Sequence, residues 1–404
     1  MVIASGVTLR SASEQDTAAI RLLLATSFGG TPEPDPVIVE QAARLWPVER
    51  ALVAVDADRI VGHTREATMT LTVPGERTVQ ACGIAAVAVA PTHRRRGILR
   101  AMYTEQHQRT ETAGLPLTIF TASQGSIYQR FGYGPTVVQN RVSIDRRFAE
   151  FLPTAPDPGG VHLTPLEDAI PLLPPIYDRW RRLTPGAQVR PDPAWTINLA
   201  HLAADRTSET TGVFALVHPD GYALYRYHHR ASGMEAEVIE LRAVTTHAHA
   251  ALWRTMLGLD LVHTVHATIS SDDPLPYLLT DPRLVRTTGR YDGLWARLMD
   301  IPAALSARTY RRDLDIVLAV TDPFRNAGGS FALRVRDGIP ECEPTTRTAD
   351  VELGIDVLAS MYLGAHRARA LSAAHRLQAE DSRQLHALDE AFGTDRDAVL
   401  GWYF

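Results

Sequence analysis

The chain has 404 residues, which exceeds one ordinary hydrophobic core and predicts two or three domains. Hydrophobic residues make up 45% of it and charged residues 22%, as in soluble globular proteins. The formal net charge of −5 gives no support to a nucleic-acid partner, and no apolar run has membrane-spanning length. Because Glu14 and Asp16 also interrupt the N-terminus, we expect no signal peptide and a cytoplasmic protein.

Cysteine and histidine spacing gives little sign of a metal site. Cys82 and Cys342 are too far apart in the sequence to indicate a disulfide framework or a zinc finger. Two closely spaced histidine pairs could be metal ligands: His247 with His249, and His263 with His266. No acidic or cysteine partner set lies nearby, so we interpret them as structural or surface residues and expect no metal.

The N-terminal part of the chain predicts a strand, a helix and an antiparallel hairpin. Residues 8–28 combine a short strand with a helix of apolar residues at helical spacing, and a Gly/Pro-rich loop follows at 29–36. Residues 51–55 and 60–71 flank an Asp-Ala-Asp-Arg turn and predict the hairpin. A further buried strand is predicted at 83–89.

A strand, a basic loop and a helix meet within residues 87–109. The strand ends at Val89, Pro91 stops it, and the helix begins near Gly97, beside Arg94, Arg95 and Arg96. The first N–H groups of a helix are unpaired and its dipole is positive there, so a glycine that permits close approach favours a pyrophosphate site. The alternative is a solvated basic loop that opens an ordinary amphipathic helix.

The order of residue types at this junction resembles the acetyl-CoA motif of the GCN5-related N-acetyltransferases (GNAT). That motif is Gln or Arg, two residues, Gly, one residue, then Gly or Ala; Arg94 and Gly97 match it, and Leu99 departs at the last position. Gly114 then ends the helix, residues 117–122 predict a buried strand that ends at Ser123, and a second helix carries Ile127, Tyr128 and Phe131. This is the element order of the acetyltransferase fold, and we place the first domain at residues 1–146.

The same order of elements recurs after a Pro/Gly-rich passage at residues 145–160. A hairpin, a strand, a helix and a strand are predicted at 213–217 with 222–227, 238–244, 246–257 and 262–269. The equivalent junction reads VTTHAHAALW, with neither arginine nor glycine. We infer a degenerate acetyltransferase-like domain that shapes a pocket or an interface; a coincidental α/β repeat is the alternative.

The pattern changes after residue 303. Alternating strands are predicted at 314–320 and 330–335, and helices at 351–363 and 372–392. This is an α+β domain that could enclose an apolar cavity. The aromatic end of the chain, Trp402, Tyr403 and Phe404, is expected to pack against the protein.

Five segments together resemble the Eis (enhanced intracellular survival) acetyltransferases of actinobacteria: VAVAPTHRRRGILRAMYTE, IYQRFGYGP, HPDGYALYR, DPLPYLLTDPRL and MYLGAHRA. The resemblance implies a mixed α/β and α+β chain with a catalytic GNAT domain at 1–146, a degenerate GNAT-like domain at 147–300 and a sterol-carrier-protein-like domain at 301–404. It implies a hexamer, and acetyl transfer from acetyl-CoA to amines of aminoglycosides, and of some peptides and protein lysines.

The resemblance also assigns roles to residues. It implies that Tyr128 protonates the thiolate and that the Phe404 carboxylate is the base; without the resemblance, Tyr128 is more readily interpreted as a half-buried tyrosine on a core helix. Val89, at the strand end beside the basic loop, is expected to present its N–H to the thioester carbonyl. The expected acetyl-CoA contacts are Val87, Ala88, Val89, Arg94, Arg95, Arg96, Gly97, Ile98, Leu99, Arg100, Ser123 and Gln124.

Two departures bear on the substrate. Gly29, Gly30 and Thr31 stand where aminoglycoside-modifying relatives place acidic and aromatic residues, and Tyr403 is not acidic. A polycation needs carboxylates around it, so narrower or different amine substrates are an alternative. A binding module without turnover and a lipid carrier acting through the last domain are the other classes to distinguish.

Overall fold

The computed structural model describes residues 6–30, 35–205 and 207–404. Its strands are β1 (Val7–Ser11), β2 (Ala51–Asp56), β3 (Arg59–Val73), β4 (Arg77–Val89), β5 (Leu117–Phe120), β6 (Gly134–Asp145), β7 (His162–Thr164), β8 (Phe214–His218), β9 (Gly221–Arg230), β10 (Gly233–Ala243), β11 (Val262–Ser270), β12 (Val285–Leu298), β13 (Leu314–Thr321), β14 (Gly329–Arg336), β15 (Ile339–Pro344), β16 (Val351–Gly354) and β17 (Leu377–Ala379). Its helices are α1 (Thr17–Phe28), α2 (Pro36–Leu45), α3 (Ile98–Thr112), α4 (Gly125–Tyr128), α5 (Leu166–Ala169), α6 (Leu173–Arg182), α7 (Asp192–Ala204), α8 (Thr246–Leu257), α9 (Leu275–Leu278), α10 (Ile301–Ala307), α11 (Ile355–Met361), α12 (Ala368–Ala373) and α13 (Ser382–Phe392).

The first two thirds of the chain form two copies of one unit. In the first copy β2, β3 and β4 are an antiparallel meander, and β4 is parallel to β5 across α3. In the second copy β8, β9 and β10 form the meander, and β10 is parallel to β11 across α8. Parallel neighbours require a crossover of this kind. The predicted repeat of two acetyltransferase-like units is confirmed.

The two copies share one sheet because they exchange their last strands. The order is β1-β2-β3-β4-β5-β12-β6-β11-β10-β9-β8-β7. Strand β12, which ends the second copy in sequence, therefore pairs with β5 of the first, and β6 pairs with β11 of the second. Such long-range pairing is not visible in local sequence patterns.

The third part of the chain is a separate five-stranded sheet, in the order β15-β14-β13-β16-β17, covered by α10 to α13. The helix predicted at 351–363 is wrong over its first turn: Val351 and Leu353 are buried with period two, and β16 pairs with β13. The helix predicted at 372–392 is also wrong in its first half. There α12 ends at Ala373 and His375 has a left-handed backbone, φ 57°, before β17 begins.

One helix was missed in the predicted loop and the stretch that follows it. Helix α2 begins at Pro36, and the carboxylate of Asp35 accepts a hydrogen bond from the N–H of Val37 at 2.7 Å. An acidic N-cap followed by proline at the first helical position is a normal helix start. Across the described ranges, no helix is long and apolar enough to cross a membrane.

Candidate active site

Strands β4 and β5 part in the middle of the sheet. In the described part of the chain they pair only where Ala81–Gly83 faces Leu117–Ile119. Beyond Gly83, β4 continues to Val89 while β5 ends at Phe120. The carboxyl-terminal half of β4 therefore has an edge that opens into a cleft.

A bulge in β4 lies at the head of this cleft. The register between β3 and β4 shifts between His63 and Arg65, and Ala86 has a positive φ of 53°. The Nδ1 atom of His63 donates a hydrogen bond to the carbonyl oxygen of Ala86 at 2.8 Å. Burial lowers the pKa of His63 to about 4, so the ring is neutral at physiological pH. We infer that His63 stabilises the bulge.

The backbone N–H of Val89 faces the cleft. Ala90 donates its N–H to the carbonyl oxygen of Val61 at 2.8 Å, and Val89 lies opposite Gly62. Successive residues of an antiparallel strand direct their N–H groups to opposite edges. Val89 therefore directs its N–H away from β3 and toward the open edge.

The start of helix α3 forms the other wall of the cleft. Gly97 is the N-cap residue, with a left-handed backbone at φ 81°. Apart from Gly97 itself and its two chain neighbours, no described residue has an atom within 4 Å of where a Cβ would be. The loop before it is anchored by His93, whose Nε2 lies 2.9 Å from a carboxylate oxygen of Asp56. Arg94, Arg95 and Arg96 are all exposed at this end of the helix. The start of α3 thus combines uncapped helix N–H groups, open space beside Gly97 and positive charge.

A cavity of about 640 Å³ occupies the cleft. It is lined by these residues of the predicted set: Val87, Ala88, Val89, Arg94, Arg95, Gly97, Ile98, Leu99, Arg100, Ser123, Gln124 and Tyr128. Arg96 and Phe404 are not among its lining residues. Sequence reasoning missed Ser27, Phe28, His93, Ile127, Arg130 and Phe131. The helical pattern of α1 gave no sign that its last turn reaches the junction.

Tyr128 lines the cavity and belongs to an aromatic cluster. It is only 6% exposed, and its ring centroid lies 4.4 Å from that of Phe120 and 6.5 Å from that of Trp295. Burial raises the pKa of the Tyr128 phenol, and a hydrogen bond with Ser123 partly opposes the rise. The phenol is therefore protonated at neutral pH and can donate a proton.

The last residues of the chain reach the end of β5. The hydroxyl of Thr121 donates a 3.3 Å hydrogen bond to the main-chain oxygen of Phe404. The ring of Phe404 stacks on Trp46 at a centroid separation of 6.4 Å and lies 5.5 Å from that of Trp402. The expectation that the aromatic end packs against the protein is confirmed for Trp402, which is 5% exposed, whereas Tyr403 is 58% exposed.

A cation lies beside this end of the chain. The guanidinium carbon of Arg65 is 4.8 Å from the ring centroid of Trp46, the residue that stacks on Phe404. Burial lowers the pKa of Arg65 to about 10, so it remains charged at neutral pH.

Gly29 and Gly30 are exposed at the end of α1. Thr31 lies outside the described residues.

The equivalent junction of the second copy is closed. The side chain of Thr245 accepts a 3.2 Å hydrogen bond from the N–H of Ala248 and so caps α8. His249, one of the histidines with metal-ligand spacing, lies 3.1 Å from a carboxylate oxygen of Asp273. Among the described residues, no group of three or more His, Cys, Asp or Glu side chains could hold a metal ion.

Known proteins share this architecture. Models of an acetyltransferase (GNAT) domain match residues 8–136 and 186–300, and a sterol carrier protein domain matches 301–401. The N-acetyltransferase Eis of Mycobacterium tuberculosis is 45% identical over 404 residues, which cover 96% of this chain and 97% of the relative. An uncharacterized N-acetyltransferase of Streptomyces avermitilis is 31% identical, covering 96% of each.

A solved structure agrees over the full length. Eis1 from Mycobacterium abscessus superposes with a TM-score of 0.88 at 30% identity, covering 98% of this chain and 100% of the other. GNAT enzymes use acetyl-CoA as acyl donor. The chain belongs to the Eis family of N-acetyltransferases, with two GNAT domains followed by a sterol carrier protein-like domain.

Proposed function

We propose that the cleft of the first domain transfers an acetyl group from acetyl-CoA to primary amines, with aminoglycosides, at one or more positions, as the principal candidates. The observation that supports this most directly is the meeting of three groups at one place. The open edge of β4, the buried phenol of Tyr128 and the carboxyl group of Phe404 all lie around the end of β5.

The residues around the cavity fit acetyl-CoA. A pyrophosphate needs unpaired N–H groups and close approach to the backbone. The start of α3 offers the N–H groups, because no side chain caps it, and Gly97 permits the approach, because it has no side chain and its surroundings are open. The exposed arginines at positions 94 to 96 add positive charge. Ser123 and Gln124, after β5, face the same cavity and are suited to contact the pantetheine arm.

The amine must lose a proton before it attacks. An alkyl ammonium has a pKa of about 10, so roughly one part in a thousand is neutral at pH 7. The Phe404 carboxylate takes this proton, directly or through one water. Thr121 holds one carboxyl oxygen by its hydroxyl, and the stack on Trp46 fixes the Phe404 ring. General bases of this kind commonly contribute about 10² to 10⁴ in rate.

Val89 and Tyr128 stabilise the two negative charges that develop during transfer, on the carbonyl oxygen and on the departing thiolate. When bound, acetyl-CoA supplies an activated thioester. The N–H of Val89 stabilises the oxyanion that develops on the carbonyl, because it points into the cleft without a strand partner. Tyr128 donates its phenolic proton to the departing thiolate, which its raised pKa permits at neutral pH.

The surroundings of Phe404 bear on which amine is acetylated. A polycation is attracted by several carboxylates, but Arg65 adds a positive charge near Trp46, and Gly29, Gly30 and Tyr403 add no negative charge. An amine of low charge would therefore meet less repulsion here than an aminoglycoside, although the family resemblance keeps aminoglycosides as the principal candidates. Acetylation of peptide or protein lysines, or of other small amines, is therefore the alternative activity, and lipid binding by the last domain is the alternative from another class.

An acetyl-transfer screen with radiolabelled acetyl-CoA tests the proposal. The acceptors are aminoglycosides, polyamines, peptides and arylalkylamines, each with and without the protein. We expect label in at least one primary amine and none in the matching alcohols. Absence of label in all four classes would contradict the proposal, and an apolar ligand that co-purifies with the protein would favour the lipid carrier. A homohexamer in the cytoplasm remains a prediction.

A further inference from the structure

The second domain has a cleft of the same design as the first. Strands β10 and β11 pair over Met234–Glu237, and β10 then parts from β11. The register between β10 and β9 shifts between Val238 and Glu240, which marks a bulge just past the last parallel pair. The bulge at Ala86 in β4 has the equivalent position. The degenerate domain therefore keeps the open strand edge of an acetyltransferase although its helix start is closed.

The carboxyl end of the chain lies against this edge. We call residues 398–404 the C-terminal segment. Its Leu400 and Trp402 are 3% and 5% exposed. One nitrogen of Arg242, on β10, donates to the carbonyl oxygens of both Leu400, at 3.2 Å, and Gly401, at 3.0 Å. Residues 400–403 line one cavity with residues 238–242 of β10. The segment then continues to Phe404, beside the end of β5.

The opposite side of the C-terminal segment contacts a strip of chain at residues 185–189. The N–H of Val399 donates to the carbonyl oxygen of Pro185 at 2.9 Å, and the indole N–H of Trp402 donates to that of Val189 at 3.1 Å. Val189 in turn donates its N–H to Thr70 of β3 at 3.0 Å. The segment is therefore held by Arg242 and by a strip of the second domain that is hydrogen-bonded to the first.

Arg242 is itself fixed in place. Its guanidinium carbon lies 4.2 Å from the ring centroid of Trp180, and its Nε lies 3.5 Å from a carboxylate oxygen of Glu240. Arg190 pairs with the same carboxylate at 3.1 Å. A planar guanidinium can stack on a ring and bond in its own plane at the same time, which an ammonium cannot.

Gly401 shows how closely the segment fits. A Cβ at this position would lie 2.3 Å from the hydroxyl oxygen of Tyr177 and 2.8 Å from the amide oxygen of Gln188. Real Cβ atoms do not approach other atoms so closely, so a side chain here would displace the segment. The closeness restricts position 401 to glycine.

We propose that the cleft of the second domain is a binding site for the chain's own C-terminal segment, and that Arg242 is the residue that holds the segment in it. This rests on the proposed function in one respect only: the reason for holding the segment is that Phe404, two residues after Trp402, supplies the base. The degenerate domain thus uses Arg242, beside its open strand edge, to position a catalytic group in its neighbour.

The test compares Arg242→Gln with Arg226→Gln. Arg226 lies on the adjacent strand β9, is ion-paired with Glu237 at 2.8 Å and is as buried, with side-chain exposures of 15% for Arg226 and 14% for Arg242. Amide hydrogen exchange, read by mass spectrometry on peptides of residues 398–404, reports the segment directly. We expect Arg242→Gln to speed exchange there about tenfold or more, because two charge-assisted hydrogen bonds are lost, and Arg226→Gln to leave it unchanged.

Unchanged exchange of the segment in Arg242→Gln would overturn the inference. If that variant does not fold, as judged by circular dichroism, Gly401→Ala decides instead, because its methyl group would press on the Tyr177 hydroxyl and displace the segment. Faster exchange supports the inference, and unchanged exchange in the folded protein overturns it. The kcat measured in parallel tests the base separately: faster exchange with a full kcat keeps the binding site and contradicts the role of Phe404.

Discussion

Thr121 and Phe404 are 283 positions apart in the sequence, and the hydroxyl of Thr121 donates a 3.3 Å hydrogen bond to the main-chain oxygen of Phe404. Thr121 directly follows β5, two residues before Ser123, which lines the cavity with Tyr128. The contact therefore brings the group that we propose as the base next to the strand end from which Ser123 reaches the cavity. A carboxylate is costly to bury unless it is hydrogen-bonded or solvated, and Thr121 supplies one such bond.

Replacement of Gly97 by valine should abolish acetyl-CoA binding. Gly97 has φ 81°, which a β-branched residue rarely adopts, and its side chain would occupy the space that a pyrophosphate needs. Gly114→Val is the matched control, because Gly114 has φ 66° at the other end of α3 with equally open surroundings. Calorimetry should show lost affinity for the first variant only. Equal affinity in both folded variants would mean that the site is elsewhere.

One acetyl-CoA should bind per chain at saturation. The helix start in the second domain is capped by Thr245, whose hydroxyl accepts a hydrogen bond from the N–H of Ala248. No arginine or glycine is present at this junction in the sequence. Equilibrium dialysis with labelled acetyl-CoA measures the ratio. Two molecules per chain would show that the second domain is not degenerate in cofactor binding.

Replacement of Tyr128 by phenylalanine should lower kcat about 10² to 10⁴-fold, the usual contribution of a general acid, with little change in acetyl-CoA affinity. Tyr103→Phe is the control: Tyr103 is in the same aromatic cluster, and its hydroxyl has no hydrogen-bond partner among the described residues. Because burial raises the pKa of Tyr128, loss of activity by deprotonation should begin only above the ordinary pKa of tyrosine. A wild-type kcat for Tyr128→Phe would mean that Tyr128 has only a structural role.

His63 should make stability depend on pH in the acid range. Burial lowers its pKa from 6.5 to about 4, so between these values the unfolded chain binds a proton that the folded protein does not. The free energy of unfolding should therefore fall as pH drops from 6.5 to 4, by at most about 3 kcal/mol from this residue. His63→Gln keeps a donor for Ala86 and should flatten the dependence in urea titrations. An unchanged slope would mean that His63 does not titrate in this way.

The helices and hairpins that depend on residues close together in the sequence were predicted correctly. Helix α8 has the predicted limits, Thr246–Leu257, because an N-cap threonine precedes it and apolar residues recur at helical spacing. The hairpins of both copies were predicted by their turns. The family resemblance rested on the same kind of short segment, chiefly the junction that contains Arg94 and Gly97.

What could not be predicted depends on contacts between distant residues. The exchange of β6 and β12 is a matter of pairing across about 150 residues. Strand β17 is stabilised by its pairing with β16, which no local pattern in its short segment indicates. The segment was therefore predicted as part of a helix. For the site, the same limit applies to Phe28, Trp46 and Arg65, and to Arg242, whose two carbonyl partners are about 160 residues away.

The most direct test of the account is the acetyl-transfer rate of protein amidated at Phe404. Amidation keeps the shape and the aromatic contacts with Trp46 and Trp402 and removes only the negative charge. If the carboxylate takes the proton from the amine, kcat should fall by about 10² or more while acetyl-CoA affinity and the melting temperature stay the same. Full turnover by the amidated protein would contradict the account.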